Sequence, residues 1–474
     1  MCLLSYFSFF TSPSSPEVYY PLKPADVLLK KREDNQEKSP FTERKDRKSL
    51  RSILEERCPS LFEGYSTPWW LFNGHMQTLY SILGGFLKSD VVIYHRTYLR
   101  LVDGGTLGLD FTPVEQSSLP DETPIIVVTH GLTGGSHEGY VRAVLGRACT
   151  PVERGGLGYR AVVVNSRGCA GVPITSQQLY SAGYTDDLRI ALMYISHQYP
   201  NAPLLGLGFS LGANIMVRYL AEEEEKSRLS AVCSLACPWD MLKNGLAINS
   251  TFLGRNLYAR GMGISFYKLL KRNAAVLSGK TVVSPPSFLV IAEAVSTTLK
   301  LRFPGLDDFD DAFTRIAGGV PQDLNFSSYQ EYYAWASSHH VLKDVRRPLL
   351  AINAADDPVI RFVPKTEQEV GNPWTTVVIT PGGGHLGWFS PAPSSHKYSM
   401  TAGLMETSRW TTKPVLEWLD MAGNDFDIKV NASDLYICDE GFLREFGRAA
   451  LGCMEVEGGG IIDWSSTELT NEMI

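Results

Sequence analysis

Five consecutive residues, Gly208-Phe209-Ser210-Leu211-Gly212, have the types and order that place a nucleophilic serine at a tight turn. The apolar run LLGL precedes them, and the helix-forming run ANIMVRYLAEEEE follows them. In that setting the glycines allow close backbone approach, and the helix N-terminus directs N–H dipoles at developing negative charge. The bare motif can arise by chance, and a serine can simply cap a helix. Because strand, turn and helix signals coincide here, Ser210 is predicted to be a nucleophile.

A serine hydroxyl needs a general base, and the base needs a carboxylate to orient it. Both types follow Ser210 in the order acid, then histidine, each just after an apolar run. Asp356-Asp357-Pro358 follows LLAIN, and His385 lies in GGGHLG after TTVVIT. We predict His385 as the base and Asp357, the residue directly before the proline, as the acid. Asp356 remains the alternative acid.

An oxyanion intermediate requires two N–H donors. The first is predicted to be the backbone N–H of Leu211, which follows the nucleophile. The second is predicted to be the N–H of Leu132, in the loop HGLTGG that follows the run IIVVT. His130 and His137, near this loop, have no partner ordered in the sequence and are interpreted as structural.

The predicted site residues stand at the ends of short, continuous apolar runs with helical stretches between them. Such runs are typical of a parallel sheet buried on both faces. The two alternating runs at 91–101 and 106–111, joined by Asp103-Gly104-Gly105, predict an antiparallel hairpin. The sequence therefore predicts an α/β fold, with a mostly parallel sheet, a hairpin at its edge and a helical insertion at 240–345. The other runs lie at 125–130, 161–168, 204–209, 229–236, 349–357 and 375–380.

One catalytic unit is predicted over residues 65–425, because the strand ends carrying the three site residues must share one sheet. Residues 1–64 are interpreted as an N-terminal extension and charged linker with a short helix near 49–58. Residues 426–474 are interpreted as a C-terminal extension. An apolar stretch of about eight residues near the N-terminus is too short to span a bilayer and is a poor signal peptide. Its side chains could touch a membrane or lipid-droplet surface, although a frayed tail is the simpler interpretation.

Composition restricts the classes of partner. The 474 residues include 44 Lys and Arg against 51 Asp and Glu, a net charge of −7, which argues against a nucleic-acid partner. Eight scattered cysteines without a CxxC pair fit free thiols in an intracellular compartment rather than disulfides or a metal site. No cofactor is expected either. Gly206 and Gly208 loosely match a dinucleotide fingerprint, but the acidic residue expected after the next strand is missing.

Seven strings together resemble the YheT/EMB8-type α/β-hydrolases, which include abhydrolase-domain proteins 1 and 3 and the yeast medium-chain fatty acid ethyl ester synthase/esterases. They are NGHMQTL (73–79), HGLTGGSHEGYVR (130–142), NSRGCAG (165–171), YSAGYTDDLR (180–189), GFSLGAN (208–214), NAADDP (353–358) and GGGHLGWF (382–389). The resemblance implies an α/β-hydrolase fold with Ser210, His385 and Asp357 as the triad. The string ACPWDM (236–241) departs from the family pattern, and the stretch 255–300 is individual.

The resemblance also implies a function. It implies a serine esterase or acyltransferase that acts through an acyl-serine intermediate. The implied substrates are short- to medium-chain acyl esters or thioesters, monoacylglycerols, fatty acid ethyl esters or acyl-CoA. Water or an alcohol would be the acceptor. The alternative is a hydrophobic-ligand binder that uses the scaffold without turnover, because a fold alone does not establish activity.

Overall fold

Six apolar runs form the parallel centre of a twelve-stranded mixed sheet in the computed structural model, which describes residues 14–30, 47–279, 288–319, 324, 326–391 and 407–466. The strands are β1 Glu17–Tyr19, β2 Asp26–Leu28, β3 Arg47–Ser49, β4 Ile93–Leu101, β5 Thr106–Thr112, β6 Ile125–Thr129, β7 Arg160–Asn165, β8 Leu204–Phe209, β9 Leu229–Leu235, β10 Leu349–Ala354, β11 Thr375–Thr380, β12 Phe389–Pro391, β13 Thr407–Arg409, β14 Leu435–Ile437, β15 Leu443–Glu445 and β16 Arg448–Asp463. Across the sheet the strand order is β1-β11-β10-β9-β8-β6-β7-β5-β4-β16-β15-β14. Two small pairs, β2–β3 and β12–β13, lie outside it.

Both faces of the parallel strands are buried, as their unbroken apolar sequences predict. In β6, Ile126 and Val128 belong to the core on one face, whereas Ile125 and Val127 belong to the core on the other. Helices cover each face and exclude water from it. The helices of the described chain are Leu50–Arg57, Gly74–Leu83, Gly139–Ala148, Asp186–Gln198, Leu211–Glu223, Met241–Asn249, Arg260–Arg272, Ala274–Leu277, Phe288–Thr298, Leu306–Phe309, Arg315–Ala317, Tyr329–Ala336, Glu367–Val370 and Thr412–Asn424, with π-helical turns at Gly254–Ala259 and Asp310–Thr314.

The predicted hairpin is confirmed, but it does not lie at the edge of the sheet. Strands β4 and β5 pair in antiparallel register from His95–Phe111 to Arg100–Thr106. On its other side β4 pairs with β16, from Cys453 opposite Leu101 to Asp463 opposite Ile93. Pairing with β16 satisfies backbone groups that β4 would otherwise present at an open edge. Strands from the C-terminal part of the chain therefore extend the sheet by three positions.

The N-terminal part of the chain also joins the sheet, since β1 pairs antiparallel with β11. The predicted short helix is confirmed as Leu50–Arg57, with the Ser49 side chain capping it by accepting from the Ser52 N–H at 3.2 Å. The apolar residues at the extreme N-terminus, interpreted above as a frayed tail or a lipid contact, lie outside the described residues. None of the described helices combines the length and apolar character needed to cross a bilayer.

The segment between β9 and β10 consists of helices, π-helical turns and loops, with no strand among its described residues. Its helices bury an aromatic cluster in which Phe266 stacks on Phe309 with ring centroids 5.1 Å apart. Leu132, from the loop after β6, and Leu211, at the start of the helix after β8, pack against the same cluster. The insertion therefore covers the carboxyl edge of the parallel strands, where the predicted site residues lie.

Candidate active site

Ser210 lies in the turn between β8 and the helix Leu211–Glu223, with φ 51° and ψ −118°. Such a backbone is strained for a residue other than glycine. Glycine is needed on both sides, because a Cβ on Gly212 would lie 2.4 Å from the Thr129 oxygen and one on Gly208 would lie 2.6 Å from the Ala213 Cα. The turn therefore holds the serine above the sheet at the start of a helix, as the motif predicts.

The three predicted side chains form one hydrogen-bonded chain. Ser210 Oγ lies 2.8 Å from His385 Nε2, and His385 Nδ1 lies 2.9 Å from Asp357 Oδ2. Asp357 is fully buried, and its Oδ1 accepts from the backbone N–H groups of Val359 and Ile360 at 2.7 and 2.9 Å. Because the carboxylate accepts from Nδ1, the imidazole holds its proton there and leaves Nε2 free to accept the serine proton.

The loop carrying His385 is fixed by the helix Gly74–Leu83, which sequence reasoning did not connect to the site. The His385 N–H donates to Thr78 Oγ1 at 2.8 Å, and the Ser81 hydroxyl donates to the Leu386 carbonyl at 2.9 Å. Asp356 Oδ1 accepts from the Gly384 N–H at 2.9 Å. Thr78 lies in the quoted string NGHMQTL, but a single sequence carries no signal that pairs it with residue 385.

The loop after β6 approaches the nucleophile, since a Cβ on Gly131 would lie 3.5 Å from Ser210 Cβ. The Gly131 N–H donates to the Tyr140 hydroxyl at 3.1 Å, and the Thr133 N–H donates to the Tyr180 hydroxyl at 2.9 Å. Leu132 lies between them, and within the described residues neither its N–H nor that of Leu211 has an acceptor. Two tyrosines that sequence reasoning missed therefore position this loop and leave the two predicted donors available.

An apolar cavity of about 90 Å³ opens beside Ser210. One wall comes from the segments that follow the parallel strands, including Leu132, Leu211, Val359 and Ile360. The other wall comes from the helical insertion, and its residues include Met241, Ile248, Met262, Phe266, Leu306 and Tyr332. A hydrocarbon group can therefore be buried next to the serine hydroxyl.

A family model described as "Alpha/beta hydrolase family" matches residues 126–394, more than half of the chain. The chain belongs to the alpha/beta hydrolase family. Ser210, Asp357 and His385 all lie within the matched residues of this hydrolase.

Several named relatives resemble this hydrolase over most of their length. The embryogenesis-associated protein EMB8 of Picea glauca is 32% identical, over 74% of this chain and 70% of its own. The monoacylglycerol lipase of Saccharomyces cerevisiae is 27% identical, over 82% of this chain and 87% of its own. The medium-chain fatty acid ethyl ester synthase/esterase 2 of the same yeast is 27% identical, over 74% of this chain and 84% of its own.

Two other histidines near the site, His130 and His75, have hydrogen-bond partners outside the triad. His130 is buried, its Nδ1 donates to the Gly131 carbonyl at 2.7 Å, and its Nε2 accepts from the Ser166 N–H at 3.1 Å. Burial lowers the pKa of His130 to about 4, so the ring is neutral near pH 7. His75 contacts the insertion, with Nδ1 2.8 Å from the Tyr258 hydroxyl. Among the described residues, no group of three His, Cys, Asp or Glu side chains is arranged to hold a metal ion.

Proposed function

We propose that this hydrolase cleaves acyl esters through an acyl-serine intermediate, with Ser210 as nucleophile, His385 as general base and Asp357 as the orienting acid. The observation that carries the proposal is the continuous chain from Ser210 Oγ through His385 to the buried Asp357 carboxylate, at 2.8 and 2.9 Å. A protein that only binds a hydrophobic ligand would not need these two hydrogen bonds, so the non-catalytic alternative is disfavoured.

In the first half-reaction His385 Nε2 takes the Ser210 proton as Oγ attacks the acyl carbonyl carbon. The carbonyl oxygen becomes an oxyanion, held by the N–H groups of Leu132 and Leu211. Each such donor contributes on the order of 10²–10³ in rate. The tetrahedral intermediate collapses, the bond to the leaving alcohol breaks, and His385 gives that alcohol its proton. The acyl group is now an ester of Ser210.

The second half-reaction repeats these steps with an incoming acceptor. Water yields a free fatty acid, whereas an alcohol yields a new ester, and His385 deprotonates either one. The insertion controls which acceptor reaches the acyl-serine, because it covers the serine and restricts water. We therefore propose one intermediate with two outcomes, hydrolysis and ester synthesis.

The proposed substrates are short- to medium-chain acyl esters or thioesters, including acyl-CoA, monoacylglycerols and fatty acid ethyl esters. The apolar lining of the cavity beside Ser210 supports an acyl group at this position. Two similar yeast proteins bear the names monoacylglycerol lipase and medium-chain fatty acid ethyl ester synthase/esterase, which agree with this class.

We also propose that the insertion contacts an anionic lipid surface. Between residues 241 and 279 the sequence has six Lys and Arg and no Asp or Glu, although the whole chain is acidic. Four apolar side chains in that stretch are exposed: Leu246, Phe252, Leu253 and Leu257. Basic charge beside exposed apolar side chains favours binding to anionic lipid.

A panel of p-nitrophenyl esters from acetyl to palmitoyl, with and without ethanol, tests the proposed reaction. We expect p-nitrophenol release with a preference for short to medium chains, and ethyl ester formation when ethanol is present. If the folded protein cleaves none of these esters, the proposal is wrong.

A further inference from the structure

Besides hydroxyl-bearing side chains, one amide and one carboxyl side chain interrupt the mostly apolar lining of the cavity beside Ser210. Asn244, from the helix Met241–Asn249, and Asp310, from the π-helical turn Asp310–Thr314, both line it. Their exposed fractions are only 4% and 3%. Burying polar groups in an apolar cavity is unfavourable unless they find hydrogen-bond partners. The partners of these two side chains therefore indicate what the cavity can hold.

Asn244 has a buried donor with no acceptor. Its Oδ1 accepts from the Arg361 and Phe362 N–H groups at 2.8 and 2.9 Å. These two donors determine the orientation of the amide, because only its oxygen can accept from them. The Nδ2 group is buried and has no partner among the described residues. An unpartnered buried donor in a native protein calls for an explanation, and a ligand is one.

Asp310 is a buried carboxyl group whose described partners are hydroxyl groups. The Thr314 hydroxyl donates to Oδ1 at 2.5 Å, and the Tyr333 hydroxyl donates to Oδ2 at 2.8 Å. Each carboxylate oxygen can accept a second hydrogen bond. The Tyr333 ring also packs near Gly245, the residue after Asn244, where a Cβ would lie 3.5 Å from it. Tyr333 therefore bonds Asp310 and lies close to the residue that follows Asn244.

We propose that Asn244 and Asp310 form a polar subsite that binds a hydroxyl group of the substrate. A hydroxyl oxygen can accept from Asn244 Nδ2, and a hydroxyl proton can be donated to Asp310. An ester whose buried part carries no hydroxyl group would leave both side chains without these hydrogen bonds. This inference rests on the proposed esterase function and narrows its substrates to esters that carry a free hydroxyl group.

The hydroxyl group can belong to the alcohol part or to the acyl part of the ester, and three esters distinguish these sources. Propyl butanoate has no hydroxyl group. Its analogue 2,3-dihydroxypropyl butanoate carries hydroxyl groups on the alcohol, and propyl 3-hydroxybutanoate carries one on the acyl chain. The experiment measures kcat/KM for each ester by acid release, and the readout is the ratio of each hydroxylated ester to propyl butanoate.

Two isosteric variants test the residues. Asn244→Asp keeps an oxygen for the two backbone N–H groups but removes the donor, and Asp310→Asn removes one acceptor oxygen. The ratio compares two substrates in one variant, so it cancels a general loss of activity. Matched controls are Asn256→Asp, which lies in the insertion away from the cavity lining, and Asp311→Asn, whose side chain is 49% exposed.

We expect the natural protein to favour one hydroxylated ester by at least about tenfold, the effect of one or two good hydrogen bonds. That ratio should fall at least about fivefold in both Asn244→Asp and Asp310→Asn and persist in both controls. The subsite proposal is wrong if kcat/KM for both hydroxylated esters is close to that for propyl butanoate. It is also wrong if the preference for the hydroxylated ester persists in either Asn244→Asp or Asp310→Asn. If none of the three esters nor p-nitrophenyl acetate is cleaved, the proposed function itself is wrong, and the subsite with it.

Discussion

Asp356 and Asp357 are neighbours in the chain, yet they hold different atoms of the loop that carries the histidine. Asp357 Oδ2 lies 2.9 Å from His385 Nδ1, whereas Asp356 Oδ1 accepts from the Gly384 backbone N–H at 2.9 Å. One carboxylate therefore orients the imidazole and the other orients the backbone before it. This geometry supports Asp357 rather than Asp356 as the acid of the proposed triad.

Replacing each aspartate by asparagine should separate the two roles. In Asp357→Asn the retained oxygen binds the Val359 and Ile360 N–H groups, so the amide NH₂ faces His385 Nδ1 and imposes the wrong tautomer. We expect kcat for p-nitrophenyl butyrate to fall by about 10⁴. Asp356→Asn keeps an acceptor for Gly384, and kcat should fall less than about tenfold. Equal losses in the two variants, with unchanged melting temperatures, would contradict the assignment.

The C-terminal part of the chain should contribute to the stability of the whole sheet. Trp464, just after β16, is 1% exposed, and its Nε1 donates to Ser136 Oγ at 2.9 Å, in the segment that follows the Leu132 loop. Trp464→Ala should lower the free energy of unfolding by about 3–5 kcal/mol, as measured by urea denaturation. The control Ile461→Ala, at a side chain in β16 that is 55% exposed, should change the free energy of unfolding little. If both variants unfold alike, the Trp464 side chain does not stabilise the sheet.

The sequence predicted those parts of the molecule that carry a local signal. Each parallel strand is a largely continuous apolar run; Ser210 follows one directly, and Asp357 and His385 lie in the loops that follow two others. Strand β16 carries no such signal, because Arg448–Asp463 mixes charged residues with three consecutive glycines and its partner β4 lies about 350 residues earlier. The hydroxyl groups of Thr78, Tyr140 and Tyr180 reach the site only through tertiary contacts, so no spacing along the chain indicates them.

Asp310 should make the stability of the protein depend on pH. Burial raises the pKa of its carboxyl group to about 7, with weaker opposing effects from the Thr314 and Tyr333 hydroxyls, and the Asp307 charge raises it further. In the unfolded chain the pKa is about 4. Between about pH 4 and pH 7 the Asp310 carboxyl is therefore protonated more in the folded state than in the unfolded state. The contribution of this protonation to the free energy of unfolding is lost as pH rises from about 4 to 7.

Asp310→Asn removes this titration. Its stability relative to the natural protein should therefore rise between pH 5 and pH 8, by on the order of a few kcal/mol. Melting temperatures of the natural protein, Asp310→Asn and the exposed control Asp311→Asn across this range check the prediction. If the difference in melting temperature between Asp310→Asn and the natural protein stays constant with pH, Asp310 does not titrate in this range.

The proposed lipid contact predicts binding to anionic vesicles that weakens with salt, because exposed charges are screened. We expect co-sedimentation with vesicles containing phosphatidylserine and much less with pure phosphatidylcholine. The double variant Leu246→Ser/Phe252→Ser should lose most of this binding. The control Ile437→Ser/Phe446→Ser removes side chains 64% and 60% exposed in the β14–β15 region and should bind normally. Equal binding to both kinds of vesicle, or an equal loss of binding in both double variants, would contradict the proposed lipid contact.

The central claim is that Ser210 is the nucleophile of an esterase, and labelling by a fluorophosphonate probe tests it most directly. The natural protein should be labelled and should cleave p-nitrophenyl butyrate. Ser210→Ala should remain unlabelled and lose at least about 10⁴-fold in kcat, with an unchanged melting temperature. Labelling and turnover that persist in Ser210→Ala would contradict the claim. So would a folded natural protein that is never labelled while a hydrophobic ligand raises its melting temperature.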